Sequence, residues 1–269
     1  MENSEIFVYI MIFIIIQSIY FKFDSIFAAL LLLIDSNFYM YSKLNLGYAP
    51  LSVGNNCAAK YSNELYKRIL LVINKHIDLT NKVVIETPCS SRNSLHIIPE
   101  NKSVKDFICI SPYKSNVNFV HKYLKDKSSY IYGHVHQLSK LNLPKDINCC
   151  LTVEASRIGY TYDKLSKHIS TVLNKGSLWV ISDLFKSDDI KTIQSSIKLN
   201  KFKIKDVSSI TDNVIESLNC ESDNKKNYLS TMPVIKEQLQ NLFFLKNSDS
   251  YNKLITQKSE YLIMIFEKI

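Results

Sequence analysis

Residues 147–155 read INCCLTVEA, and this stretch decides the fold class. It is an unbroken run of mostly apolar side chains, which is typical of a strand that is buried on both faces. Shorter runs of the same kind occur as KVVIE at 82–86, VKDFICI at 104–110 and SLWVISDL at 177–184. Because strands buried on both faces occur almost only in sheets covered by helices on both sides, the stretch predicts the centre of a parallel α/β sheet.

Segments with helical periodicity alternate with these strands from residue 60 onward. We predict helices over 60–78, 113–126, 161–174, 187–199, 211–226 and 231–245. Three more strands are predicted over 128–133, 202–208 and 260–266, which brings the total to seven. This alternation indicates βαβ units. The predicted fold class is α/β, a Rossmann-like and mostly parallel sheet of seven strands with helices on both faces.

Composition and charge exclude several classes of protein. The chain of 269 residues contains 5 glycines, so the glycine-rich loops of dehydrogenases and P-loop enzymes are not expected. The net charge is +8, but the lysines are scattered and the arginines are only Arg68, Arg92 and Arg157. Nucleic-acid-binding proteins usually cluster basic and aromatic residues on one face. We therefore predict a solvated lysine surface and no nucleic-acid partner.

The six cysteines include no C-x-x-C pair, so neither a zinc ribbon nor a thioredoxin motif is indicated. We predict free thiols in a reducing compartment. His134 and His136 form an H-x-H pair that could offer two imidazoles to a metal. No further ligand is positioned by spacing, and we predict no metal site.

The amino end is strongly apolar. Residues 6–21 read IFVYIMIFIIIQSIYF, and SIFAALLLLI follows at 25–34. We predict two parts, a hydrophobic segment over 1–40 and a second domain over 41–269. Residues 6–34 are expected to contact a membrane, with the basic domain facing the cytoplasm and an endomembrane as a plausible location. A buried helical hairpin and a cleaved signal peptide stay open as alternatives, although Glu2 and Glu5 have the wrong charge for a signal peptide.

An ordered series of short segments resembles one enzyme family. These segments are LNLGYAPL at 44–51, VVIETPCSSRNSLHII at 83–98, CISP at 109–112, YGHVHQL at 132–138, TVEASRIGY at 152–160, VLNKGSLWVISDL at 172–184, ITDNVIESL at 210–218 and KNSDSYNKLITQKSEYLIMIFEKI at 246–269. Together they resemble class I S-adenosylmethionine-dependent methyltransferases over residues 41–269. The narrower resemblance is to phthiotriol dimycocerosate-type methyltransferases, which act on small molecules and lipids.

The resemblance implies S-adenosylmethionine as cofactor and a hydrophobic small molecule or lipid as acceptor. It implies cofactor contacts from Tyr48, Glu86, Thr87, Cys89, Ser91, Cys109, Ile110, His134, Val135 and Val153. Glu154 is the first candidate for a catalytic base and His136 the second. Arg157 and Tyr160 are candidates for binding the acceptor, but Glu154 and Arg157 could equally pair with each other as structure.

The departures from the family pattern fall in the cofactor site. Polar residues replace the loop glycines, at Thr87, Ser90, Ser91, Asn93 and Ser94. The acid that grips the ribose hydroxyls is replaced by Cys109, and the acid at the adenine amino group by His134. Two main hypotheses follow: methyl transfer with weakened cofactor binding, or a catalytically inactive module of the same fold that binds a lipid, a metabolite or a protein. A basic peripheral membrane protein without a functional pocket is the third.

Overall fold

A computed structural model describes residues 46–51, 61–89, 94–101, 104–112, 128–230, 240–241 and 243–269. Its strands are β1 (Val83–Glu86), β2 (Asp106–Ser111), β3 (Ser128–Tyr132), β4 (Ile147–Val153), β5 (Leu178–Lys186), β6 (Phe202–Ser209) and β7 (Ser259–Lys268). Its helices are α1 (Tyr61–Ile73), α2 (Ser94–Asn101), α3 (Tyr162–Ile169), α4 (Ile190–Leu199), α5 (Thr211–Ser230) and α6 (Asp249–Ile255). Short 3-10 turns cover Val135–Lys140, Ala155–Ile158 and Ser187–Asp189.

All seven strands join one sheet, in the order β3-β2-β1-β4-β5-β7-β6. Strands β1 to β5 pair in parallel, while β7 runs antiparallel to both β5 and β6. The predicted fold class is confirmed, because the sheet is mostly parallel and flanked by helices. Helices α5 and α6 lie between β6 and β7 in the chain, and β7 enters the sheet between β5 and β6.

The strand order reverses between β1 and β4, and this crevice is where open α/β sheets bind ligands. Buried hydrogen bonds cross the crevice. Trp179 Nε1 donates to Thr152 Oγ1 at 2.9 Å, and Thr152 Oγ1 donates to the carbonyl oxygen of Thr87 at 2.8 Å. The carboxyl ends of β1 and β4 are therefore held together below the predicted site.

Two apolar cores cover the two faces of the sheet. One contains residues of α1, α5 and α6, including Leu65, Ile69 and Leu254. The other contains residues of α3 and α4, with Trp179 close to Phe202 and Phe266 at ring-centroid distances of 5.3 and 5.8 Å. With both faces covered, strands β1 and β4 are buried along almost their whole length, as the INCCLTVEA stretch predicts.

Several predicted boundaries are wrong. The helix predicted over 60–78 ends at Ile73, and the helix predicted over 161–174 ends at Ile169. The strand predicted over 147–155 ends at Val153, because Glu154 adopts a left-handed backbone with φ 49°. Helix α6 was not predicted, and residues 243–245, the end of the helix predicted over 231–245, are not helical.

Some predictions fall outside the described residues. They are the segment 6–34, the helix over 113–126 and the greater part of the helix over 231–245. Among the described residues, no helix combines the length and apolar character needed to cross a bilayer. Cys89, Cys109, Cys149 and Cys150 form no disulfide, whereas Cys220 is disulfide-bonded, so the prediction that all the cysteines are free thiols is wrong.

Candidate functional site

The carboxyl ends of β3, β2, β1 and β4 lie side by side and carry most of the predicted site residues. Glu86 ends β1, Cys109 lies near the end of β2, His134 follows β3 and Glu154 follows β4. Parallel pairing places Glu86 opposite Cys109. The chain thus brings to one edge of the sheet four positions that lie up to 68 residues apart.

Glu86 is a fully buried carboxylate at the end of β1. Its Oε1 accepts a hydrogen bond from Tyr66 Oη at 2.9 Å, and its Oε2 accepts one from Cys109 Sγ at 3.7 Å. Burial raises the pKa of Glu86 to about 7, although hydrogen bonds from Ser94, Tyr66 and the neighbouring cysteines oppose the shift. Tyr66 was missed by sequence reasoning because nothing in α1 marks it as a neighbour of β1, whereas Ser94 is one of the polar residues noted above in place of the loop glycines.

The predicted ribose position is occupied by a neutral thiol. Cys109 is 0% exposed, and burial raises the pKa of its thiol well above the usual value. Cys89 is equally buried, and burial raises its thiol pKa as well. A buried neutral thiol is a weak donor and a poor acceptor, so Cys109 does not provide the carboxylate that normally grips two hydroxyls.

The loop after β1 offers few backbone donors in its described part. The N–H of Thr87 donates to Leu151 O at 2.9 Å and the N–H of Cys89 donates to Ile110 O at 2.8 Å, while Pro88 has no N–H. The Thr87 hydroxyl is buried without a hydrogen-bond partner among the described residues. Ser91, another predicted contact, lies outside the described residues.

Glu154 is held by three donors. Its Oε1 accepts from the backbone N–H of Leu46 at 2.7 Å and from Tyr261 Oη at 3.0 Å, and its Oε2 accepts from Arg157 Nη1 at 2.5 Å. Arg157 also lies over the ring of Phe244, 5.8 Å from the centroid. Of the two alternatives that sequence left open, these contacts favour a structural pair of Glu154 and Arg157.

Residues 46–51 form a strap that crosses the site. Tyr48 N–H donates to Tyr61 O and Ala49 N–H to Asn213 O, both at 3.0 Å, and Leu46 reaches Glu154. Tyr48, a predicted cofactor contact, is half-buried, with the Arg68 guanidinium over its ring at 5.8 Å. The strap is thereby joined to α1, to α5 and to the end of β4.

A second buried carboxylate, Asp183 of β5, was missed by sequence reasoning. It accepts from Ser156 N at 2.9 Å, from Ser156 Oγ at 2.7 Å and from the Tyr162 hydroxyl. Burial raises its pKa to about 6, and the nearby charge of Glu154 acts in the same direction. Asp183 therefore holds the 3-10 turn that carries Arg157.

Tyr160, a predicted acceptor contact, lines a cavity of about 570 Å³ near the carboxyl end of β5. The walls include the apolar side chains of Tyr162, Leu184, Phe185 and Ile193. The volume falls in the range of small-molecule sites, about 300–1,000 Å³. In the described part of the chain, Glu154 makes its hydrogen bonds with Leu46, Arg157 and Tyr261 and not with Tyr160.

The two histidines lie after β3. Their rings stack at a centroid distance of 5.3 Å, and Tyr132 meets His134 edge to face at 5.8 Å. His136 is exposed. The pKa of His134 is lowered by its partial burial and by the neighbouring His136. Val135 and Val153 are buried beside the strand ends, as is Ile110.

The strand order, the antiparallel β7 and the placement of these residues define the fold of class I S-adenosylmethionine-dependent methyltransferases. A candidate sarcosine dimethylglycine methyltransferase from Galdieria sulphuraria superposes with a TM-score of 0.69 at 13% identity, covering 86% of this chain and 97% of that one. A cyclopropane synthase from Mycobacterium tuberculosis gives 0.65 at 8% identity, covering 86% and 94%.

A third similar structure contains ligands. Geranyl diphosphate C-methyltransferase from Streptomyces coelicolor, solved with Mg²⁺, geranyl diphosphate and S-adenosyl-L-homocysteine, gives a TM-score of 0.57 at 9% identity, covering 84% of this chain and 91% of that one. The sequence matches no protein-family model and no curated protein. At these identities the likeness establishes the fold, and the resemblance predicted from the motifs is confirmed at that level.

Proposed function

We propose that this protein binds S-adenosylmethionine and transfers its methyl group to a hydrophobic small molecule or lipid. The observation that carries the proposal is the convergence of Glu86, Cys109, His134 and Glu154 at the ends of four neighbouring strands, beside the point where the strand order reverses. The three similar structures named above support it, because two are described as methyltransferases, one of them of geranyl diphosphate, and the third is described as a cyclopropane synthase.

The residues fit this cofactor unevenly. The unpartnered hydroxyl of Thr87 and the buried carboxylate of Glu86 are polar groups at the end of β1, where the resemblance puts cofactor contacts. The ribose position does not fit, because Cys109 is a buried neutral thiol. We therefore propose binding that is weaker than a ribose-gripping carboxylate would allow.

The chain's own residues supply positioning and exclusion of water. When bound, S-adenosylmethionine supplies a methyl group on a sulfonium, which is activated for transfer. Leu46 and Ala49 of the strap are buried, and the Leu46 N–H donates to Glu154 at the end of β4. Glu154 holds both the strap and Arg157 in place. Such positioning contributes to catalysis, because alignment of the reactants in a water-poor site is a large source of rate enhancement.

An apolar acceptor is supported by the cavity beside Tyr160. Its apolar side chains Leu184, Phe185 and Ile193 suit a hydrocarbon chain or ring. Because both oxygens of Glu154 already accept hydrogen bonds, we propose an acceptor whose attacking atom needs no strong base.

The test is calorimetric titration of the full chain with S-adenosylmethionine and S-adenosylhomocysteine. We expect binding by the wild type and tighter binding by Cys109→Asp, by about tenfold or more, since hydrogen bonds to a charged group contribute about 1.5–3 kcal/mol. Cys109→Ser is the matched control, because it changes the side chain without adding a charge. Folded wild type and Cys109→Asp that both fail to bind at millimolar ligand overturn the proposal.

Transfer itself is tested with methyl-tritiated S-adenosylmethionine. We expect label in the organic phase after incubation with phosphatidylcholine vesicles that contain unsaturated chains, or with geranyl diphosphate. Cofactor binding without transfer to either acceptor class would contradict the hydrophobic acceptor.

The second candidate is a module of this fold without catalysis. The burial of Cys109 and the engagement of Glu154 by three donors favour it, because neither side chain is left for substrate. This candidate predicts a folded protein that binds no S-adenosylmethionine, so the same titration decides between the two.

A further inference from the structure

Two thiols and a carboxylate meet where β1 and β2 end. Glu86, Cys89 and Cys109 are each 0% exposed, and one ligand atom from each lies within 4.8 Å of the other two. Within the described part of the chain, no other group of three or more His, Cys, Asp or Glu side chains comes this close together. Thiolates and a carboxylate are ligand types found in zinc sites.

The backbone explains why the three side chains converge. Parallel pairing places Glu86 directly opposite Cys109. The chain then turns after β1, and the Cys89 N–H donates to the carbonyl oxygen of Ile110 at 2.8 Å. This bond folds Cys89 back over the end of β2, so that its thiol meets the other two groups. Three ligands are therefore positioned by strand pairing and a turn, which are rigid elements.

The cluster is acidic. Among the described residues, the neighbours that act most strongly on the pKa of Glu86 are Ser94, Tyr66 and the two cysteines, and none of these is basic. All three side chains are fully buried, and a charge without a counter-charge is costly in a dry interior. A divalent cation between the three ligand atoms removes this cost by compensating their negative charge.

Tyr130 of β3 brings an unpartnered oxygen to the same place. Its side chain is 3% exposed, and its hydroxyl makes no hydrogen bond of normal geometry among the described residues. After burial itself, Cys89 and Cys109 act most strongly on its pKa, which puts this hydroxyl beside the two thiols. The Tyr130 hydroxyl thus lies close enough to Cys89 and Ser111 to interact with both, which places a fourth oxygen or sulfur ligand group beside the cluster.

We propose that Glu86, Cys89 and Cys109 bind a thiophilic divalent cation, with Zn²⁺ the ion that this ligand set suits, and that the Tyr130 oxygen completes a four-coordinate site. Binding replaces protons: one Zn²⁺ enters, the S–H bonds of Cys89 and Cys109 and the O–H bond of the Glu86 carboxyl break, and three protons leave to solvent, while the Tyr130 phenol keeps its proton. No oxidant or reductant is needed. The inference goes beyond the proposed function and does not rest on it, although Cys109 belongs to both regions.

The test is a titration of the chelator-treated full chain, with the disulfide of Cys220 left intact, with Co²⁺ alone, followed by absorption spectroscopy. We expect one equivalent of Co²⁺ to produce thiolate-to-cobalt charge-transfer absorption, and Zn²⁺ to abolish it by displacement. Cys89→Ala and Cys109→Ala should lose this absorption, and Glu86→Gln should shift the titration to higher Co²⁺ concentration. The matched control is Cys149→Ala, which removes an equally buried thiol outside the cluster and should leave the titration unchanged.

Absence of charge-transfer absorption from folded wild type overturns the inference, even if the cysteine variants do not fold. So does absorption that persists in Cys109→Ala, or a Cys89–Cys109 disulfide that mass spectrometry finds in the protein as purified, before any reductant is added. Titration with S-adenosylmethionine is measured separately. Its failure counts against the proposed function alone, so the two ideas can fail independently.

Discussion

At the scale of single residues, the pair of Glu154 and Arg157 is the most consequential contact near the site. Glu154 follows a buried strand in a left-handed conformation and has only 4% of its surface exposed. A carboxylate in such a position depends on its donors, because an unpaired buried charge is poorly solvated. The pair therefore stabilises the end of β4 whatever the protein binds there.

We expect Arg157→Ala to lower the free energy of unfolding by about 3–5 kcal/mol, since it leaves Glu154 buried with one strong donor fewer. Urea denaturation measures the change. Lys67→Ala is the matched control, because Lys67 pairs with Glu64 at the same i,i+3 spacing but on the surface, where such pairs contribute about 0–1 kcal/mol. Equal effects of the two substitutions would contradict a structural role for Arg157.

Asp183 gives a prediction about pH. Its pKa is raised from 3.8 to about 6, so the native state holds a proton that the unfolded state has already lost over that interval. The stability that this group contributes is complete below pH 3.8 and is lost as pH rises through 6. The difference in unfolding free energy between wild type and Asp183→Asn should therefore fall by about 3 kcal/mol between pH 3.5 and 7.

Denaturation at several pH values, with a chelator present, measures this difference. The groups that face Asp183 are Ser156, Tyr162 and Glu154, and Tyr162 titrates far above this range. Asp212→Asn changes an exposed carboxyl and should leave the pH dependence of the wild type almost unaltered. A difference that is flat with pH for Asp183→Asn would disprove the expectation.

At the scale of elements, the strap over residues 46–51 depends on one glycine. Gly47 has φ +77°, and a Cβ added to it would lie 2.3 Å from Ser217 Oγ of α5. The absence of a side chain thus allows the strap to approach α5 closely enough for the Ala49 N–H to reach Asn213 O. The missing side chain of Gly47 therefore allows both the packing of the strap against α5 and its hydrogen bond to Glu154.

Gly47→Ala should destabilise the protein by about 1–3 kcal/mol through backbone strain, and by more through the collision with Ser217. Thermal unfolding measures the loss. Gly176→Ala is the control that separates the two terms, because Gly176 has a similar φ of +85° and nothing within 4 Å of its added Cβ. If Gly47→Ala and Gly176→Ala destabilise the protein equally, close packing of the strap against α5 does not contribute to stability.

At the scale of the whole molecule, the α/β part is described by the structure, whereas the membrane contact of the apolar amino end is predicted from sequence alone. The described α/β part contains two apolar cores, one on each face of the sheet. The membrane interaction of residues 6–34 stays a prediction from sequence. It is testable in the full chain, without removing any segment.

We expect the full chain to float with anionic vesicles in a density gradient, and Ile14→Asp with Ile15→Asp to reduce the floating fraction severalfold, because each charge costs about 2.5–3.5 kcal/mol inside a bilayer. The matched control carries the same charge change at exposed apolar positions of the domain, as Leu71→Asp with Leu199→Asp. Vesicle binding that survives in the first variant, or that is lost equally in the second, would contradict membrane contact through this segment.

Strand content and fold class followed from the sequence because they depend on local patterns. A strand buried on both faces must be apolar throughout, so INCCLTVEA indicated the central β4 without any knowledge of its neighbours. Ordered motifs likewise pointed to the ends of β1, β2, β3 and β4 as the site. Helix ends were less predictable, since glycine and proline are scarce and α1 and α3 end without a strong signal.

The sequence by itself thus determined the sheet, the order of its segments and the positions that have departed from the methyltransferase pattern. Only the tertiary structure decided what those positions do. Glu154 and Tyr261 lie 107 residues apart in the chain yet share a hydrogen bond, and Cys109 meets Glu86 and Cys89 only because parallel strands pair in one register. Contacts between distant segments depend on register and packing, which no local pattern of residues encodes.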